Sequence, residues 1–257
     1  MFAEEHLNRE REKIGNYFKS KYNISFEELT FFNNYSNSLL RCTVSLKIWS
    51  EKLEVKKVVS HESLQYLKET TSNFTQVLTL GILGFKSPTY SMIRRSLENI
   101  ISFYYYKDHP IEFIKKMLVP NFKNLSINEM GDYIKQYPFK YFYGDSIEIE
   151  TNINEFVSQI MGLWKTEYQN LSKFVHGSTE EYLDQSSFIE EIIPNNEILK
   201  NVEKHVNKFC SIVNTLNILF FFDLYKTEFS EEEKQFIRQS ITQSGYKISI
   251  QEIFGEI

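Results

Sequence analysis

Val202, Val206, Phe209, Val213, Leu216 and Phe220 recur at intervals of three and four residues. Such a row falls on one face only in an α-helix, whose 3.6-residue turn brings i, i+3, i+4 and i+7 together. The spacing returns in Leu64, Leu67, Phe74 and Leu78, and again in Ile93, Leu97, Ile100 and Tyr104. Boundary signals separate the rows. Ser25-Phe-Glu-Glu, Ser60 with Ser63, and Ser230-Glu-Glu-Glu233 each offer a helix-opening hydroxyl. Ser87-Pro88 reads as a cap followed by proline at the first helical position. Ser126-Ile-Asn-Glu129 matches a capping box, and Asn152-Ile-Asn-Glu155 matches it less strictly. Asp108-His-Pro110 ends a helix, because the residue before a proline resists the α conformation.

The expected architecture is an all-α helical bundle, with helices over 88–107, 154–176 and 195–227 as its core. Residues 1–59 read as an N-terminal helical extension and 60–257 as the bundle, one continuous domain with no repeat or low-complexity linker. Gly81 and Gly84 mark a weak helix end or a close helix approach. The tail from Tyr246, with Ile248 and Ile250 alternating, fits a strand or a final helical turn.

Ala3 is the only alanine, so these helices must pack through Phe, Tyr, Leu and Ile. The net charge of −5 excludes nucleic-acid binding through overall charge and leaves room for a local basic patch. Cys42 and Cys210 each sit in an apolar helical pattern and read as buried free thiols of a reducing compartment. The acidic, polar start lacks a charged-then-apolar leader pattern. The longest uncharged runs, 71–85 and 209–222, fall short of the roughly 18 residues a membrane span needs. A cytoplasmic protein with no membrane partner is expected.

No Gly-rich phosphate loop, Cys-x-x-Cys pair, His-Glu-x-x-His or Gly-x-Ser-x-Gly is present. No metal site and no cofactor are expected. One polar row stands out: Tyr168, Ser172 and His176 lie at i, i+4 and i+8 on one helix face, extended backwards by Trp164 and Met161 and closed by Gly177. On another helix, Arg94 and Glu98 are i, i+4 neighbours that can pair. A half-buried Arg oriented by an acid and facing a His suits phosphate chemistry. Each residue also has a plainer reading. Arg94–Glu98 is then a surface pair, His176 a helix-end cation, Ser172 a back-bonded hydroxyl and Tyr168 a core ring. His6, His61, His109 and His205 lack comparable company, and His109 reads as a turn residue. Tyr137-Pro-Phe-Lys-Tyr-Phe-Tyr-Gly-Asp is the candidate functional loop, with Lys115, Lys116, Lys123, Lys135 and Lys140 beside it.

Arg94-x-x-Leu-Glu98 followed by Tyr168-x-x-Leu-Ser-x-x-Val-His176-Gly resembles bacterial HEPN-like proteins, among them relatives in abortive-infection and toxin–antitoxin systems. The resemblance spans about residues 60–227. It implies a helical bundle, a homodimer, and a metal-independent ribonuclease active in phage defence, with a possible partner protein from a defence operon. In nuclease members an Arg precedes the His on the same helix, whereas Gln169 to Leu171 hold none here. Either Arg94 supplies the guanidinium from the neighbouring helix, or the chain is a non-catalytic interaction or sensor subunit. On the first reading Arg94, Glu98 and His176 are catalytic and Tyr168 and Ser172 support them. Arg95 and Lys173 are then the expected RNA contacts. On the second, an apolar surface at Phe209–Phe222 is the feature to look for.

Overall fold

The computed structural model describes residues 2–24, 26, 30–123, 125–139, 147–177, 180–182, 188 and 191–255. Among them the chain is helical and contains no strand. In chain order the helices are α1 (Phe2–Tyr22), α2 (Phe32–Val55), α3 (His61–Ile82), α4 (Lys86–Tyr106), α5 (Pro110–Leu118) and α6 (Ile127–Lys135). There follow α7 (Ile147–His176), α8 (Asn196–Phe220), α9 (Phe222–Glu228), α10 (Glu231–Ser240) and α11 (Ser244–Phe254). A 3₁₀ turn occupies Glu180–Tyr182 between α7 and α8.

Several boundaries follow the sequence signals. Ser60, Ser126, Asn195 and Ser230 each accept a hydrogen bond from a first-turn backbone N–H, and Ser126 and Ser230 complete capping boxes with Glu129 and Glu233. Pro110 occupies the first turn of α5, after His109. Others differ. The N-cap of α4 is Phe85, in an extended conformation, so Ser87 lies inside the first turn; Pro88 is tolerated there because first-turn N–H groups have no intrahelical partner. Asn152 lies within α7, whose start at Ile147 removes the extended backbone a cap needs. The helix expected over 195–227 breaks at Phe221 (φ −131°, ψ 38°), whose buried ring packs near Trp49 and Phe103. The tail is α11, not a strand.

Helices α2, α3, α4, α7 and α8 pack around one core. The boundary expected at residue 59 falls in the α2–α3 connection. Tyr35, Leu39, Cys42, Leu46 and Trp49 of α2 join Phe74, Tyr104, Val157 and Phe209 in a single cluster across it. The Phe209–Phe222 run is core: Phe220 and Phe222 are half-buried and the rest of it is buried. Cys42 and Cys210 are free, buried neighbours, and burial pushes the Cys42 thiol well up. Of the candidate loop, Tyr137 and Phe139 pack on Phe220, and residues 140–145 lie outside the described residues.

With Ala3 the only alanine, a glycine makes room for a close approach of α2 to α3. A Cβ on Gly81 of α3 would lie 2.1 Å from the Tyr35 hydroxyl of α2. That hydroxyl is fixed by donation to the Val77 carbonyl at 2.5 Å. Gly84 has φ +88° and sits against the Ile193 carbonyl, so both glycines are required by geometry. Gly81→Ala is expected to destabilise the fold by about 1–3 kcal/mol through overpacking, read as a lower denaturant midpoint at unchanged m-value.

Candidate functional site

Helix α7 carries two polar positions in succession, Glu167 and Tyr168, about 100° apart around the helix axis. They face different neighbours.

Tyr168 faces α4. Trp164, one turn earlier, donates its indole N–H to the Leu97 carbonyl at 3.1 Å, which fixes α7 against α4. The Trp164 and Tyr168 rings stack with centroids 5.4 Å apart. Arg94 crosses from α4 onto this face. Its Nε donates to Ser172 Oγ at 2.9 Å and its Nη2 to the Tyr168 hydroxyl at 2.7 Å. Nη2 also lies 3.1 Å from Glu98 Oε1. The Tyr168 hydroxyl in turn donates to Glu98 at 3.0 Å, and Ser172 donates to the Tyr168 carbonyl at 2.7 Å. The guanidinium carbon sits 4.8 Å from the Tyr168 ring centroid. Burial, with Glu98 beside the hydroxyl, raises the Tyr168 pKa against the opposing pull of Arg94, so the phenol stays neutral. The Arg94 side chain is 19% exposed, and its Nη1 has no partner among the described residues.

The structure thus brings Arg94, Glu98, Tyr168 and Ser172 into one network. His176 stands one turn beyond Ser172, exposed at the C-terminal end of α7, with no hydrogen bond among the described residues. Ser172 and Tyr168 engage Arg94 and do not orient the histidine. Gly177 follows with φ +53°, the left-handed conformation that lets the chain leave the helix. Lys173 lies near His176 in sequence, its ammonium 5.9 Å from the Tyr182 ring. Arg95 points elsewhere and pairs with Glu69 of α3 at 2.6 Å. Lys116 bonds the Tyr66 hydroxyl and Lys135 pairs with Asp132, while Lys140 is outside the described residues.

Glu167 faces α8, and sequence reasoning missed what it meets. It is only 2% exposed, yet its carboxylate binds His205 Nδ1 and Lys208 Nζ, both at 2.6 Å. Burial pushes its pKa up, but the hydrogen bonds and charges of His205 and Lys208 win and hold it below the usual value. The Tyr90 ring meets His205 edge-on and stacks on Phe174 at 4.0 Å. His205 therefore has the company the sequence did not show. The one available signal was the i, i+3 spacing of His205 and Lys208, which names no acid.

Among the described residues no group of three or more His, Cys, Asp or Glu side chains converges to hold a metal ion. No protein-family model, curated protein or solved structure matches this chain.

Glu167 makes stability depend on pH in one direction. Its folded pKa is depressed, so its contribution is complete above the unfolded value of about 4.3 and is lost as pH falls through the folded one. Glu167→Gln is expected to cost about 1–3 kcal/mol near neutral pH, the usual range for a buried charge-assisted bond. Chemical denaturation from pH 7 down to about pH 3 should show the gap to wild type closing as pH falls.

Proposed function

We propose that this chain is a HEPN-like ribonuclease that cleaves RNA without a metal, acting as an effector of bacterial defence. The observation that supports this reading is the crossing of Arg94 from α4 to Ser172, one helical turn before His176. Although α7 has no arginine at Gln169 to Leu171, a guanidinium stands on its polar face. Arg94 would point its Nη1 edge at a phosphate. Glu98, Tyr168 and Ser172 would hold the guanidinium plane, so little reorientation is needed as charge grows on the phosphorane oxygens.

His176 would take the proton of the ribose 2′-OH, or give one to the leaving 5′-oxygen, and solvent water would exchange the other proton. The 2′-oxygen bonds to phosphorus, the bond from phosphorus to the 5′-oxygen breaks, and a cyclic phosphate remains. Exposure of His176 suits a polymeric substrate approaching from solvent. Lys173 is the nearest cation in sequence to steer its backbone.

The test is cleavage of a single-stranded RNA in EDTA by wild type, His176→Ala and Arg94→Ala, with thermal melts of all three. His176→Ala is expected to lower the rate about 100- to 10,000-fold and Arg94→Ala about 100- to 1,000-fold. Arg94→Ala should also lower the melting temperature, because it leaves Glu98 without its cation. Equal cleavage by all three would remove these residues from the mechanism. A wild type that cleaves nothing would leave Arg94 as a clasp between α4 and α7, in a non-catalytic interaction subunit.

A further inference from the structure

Helix α5 keeps most of its aliphatic side chains on its outer side. Its inward side holds one ring, Phe113, flanked by Glu112 and by Lys116, whose exposed side chain reaches back to the protein. Glu112 accepts a hydrogen bond from the Tyr105 hydroxyl at 2.5 Å, and Lys116 donates to the Tyr66 hydroxyl at 3.1 Å. Phe113 packs edge-on against the Tyr66 and Tyr106 rings between them. The opposite side is aliphatic: Ile111, Ile114 and Leu118 stand at i, i+3 and i+7, and Met117 adjoins them. These four are 66%, 49%, 74% and 66% exposed, and no residue of α5 is buried. At 100° per residue they fill an arc of about 120°, the apolar width that normally faces a core.

Along residues 110–123 the formal charge is opposite in sign to that of the whole chain. Between Pro110 and Lys123 the only acid is Glu112, turned inward, against Lys115, Lys116 and Lys123. Lys115 borders the arc, and both Lys115 and Lys123 are exposed. The chain as a whole carries −5. An exposed aliphatic arc edged by lysines matches an anionic, apolar-lined surface. A second copy of the chain fits it poorly, because a two-fold contact centred here would set Lys115 against its own equivalent. The arc also lacks the Trp, Tyr and Arg anchors that dominate protein–protein hot spots. Among the described residues no helix is long and apolar enough to cross a membrane, so the match is to the bilayer surface.

We propose that α5 docks this protein on anionic lipid bilayers, Ile111, Ile114, Met117 and Leu118 entering the headgroup boundary and Lys115 and Lys123 meeting the lipid charges. The proposal stands apart from the Arg94–His176 reading, since it rests on a different helix and requires no catalysis.

The experiment is co-sedimentation of the full chain with vesicles of phosphatidylcholine alone and of phosphatidylcholine with about a third phosphatidylglycerol. The expected result is binding to the anionic vesicles, weak binding to the neutral ones, and release by added salt. Ile114→Asp/Leu118→Asp should abolish binding, and Lys115→Ala should weaken it about fivefold, the effect of roughly one lysine at such a surface. These side chains are exposed, so thermal melts of the variants should match wild type. Absence of binding to anionic vesicles, or equal binding by the double variant, would overturn the proposal. So would a concentration-dependent dimer, lost in the double variant, in a protein that ignores both vesicle types; that result assigns the arc to a second copy.

Discussion

The arrangement of the other helices depends on the burial of α8. Residues 211–219 are buried without interruption, so this part of α8 has no solvent side and must be enclosed by neighbours. Enclosure brings polar groups inside, where an unpaired amide costs several kcal/mol. Asn214 accepts from the Trp49 indole at 3.1 Å and donates to Ser45 at 3.1 Å, which fixes α2 against α8. Asn217 accepts from the Tyr104 hydroxyl at 2.7 Å and does the same for α4, while its buried Nδ2 has no partner among the described residues. Apolar packing drives the enclosure, and these directional bonds select one register.

Helix α7 then inherits two faces. Glu167 is satisfied by α8 through His205 and Lys208, and Tyr168 by α4 through Arg94 and Glu98. The guanidinium has five N–H donors in a plane, and Ser172, Tyr168 and Glu98 engage the Nε and Nη2 edges. Such a group is held firmly and still presents one edge outward. His176 is not part of this rigid assembly. It sits at the helix end, where the chain is about to turn at Gly177.

Helix α5 shows that period and polarity are separate facts. Ile111, Ile114 and Leu118 have the spacing of a helix face, yet that face is exposed and only Phe113 of α5 packs inward. Tyr66, Tyr105 and Tyr106 account for the inward side, because they offer Glu112 and Lys116 hydroxyl partners and ring faces that aliphatic neighbours would not.

The sequence alone determined the helical class, the caps at Ser60, Ser126 and Ser230, and the row from Trp164 to His176, because these depend on residues a few turns apart on one helix. It also placed Arg94 and Glu98 as partners, since i, i+4 neighbours meet whatever surrounds them. Spacing and resemblance raised Arg94 as a guanidinium from a neighbouring helix, but they did not give the atoms met across an interface. Arg94 meets Ser172 from 78 residues away, and His205 meets Glu167 from 38. Spacing along the chain gives each residue an angle on its own helix but not the identity of the helix opposite. The break at Phe221 and the outward stripe of α5 escaped for the same reason. Each is set by what a ring or a charge finds across the interface, and only packing in three dimensions supplies that partner.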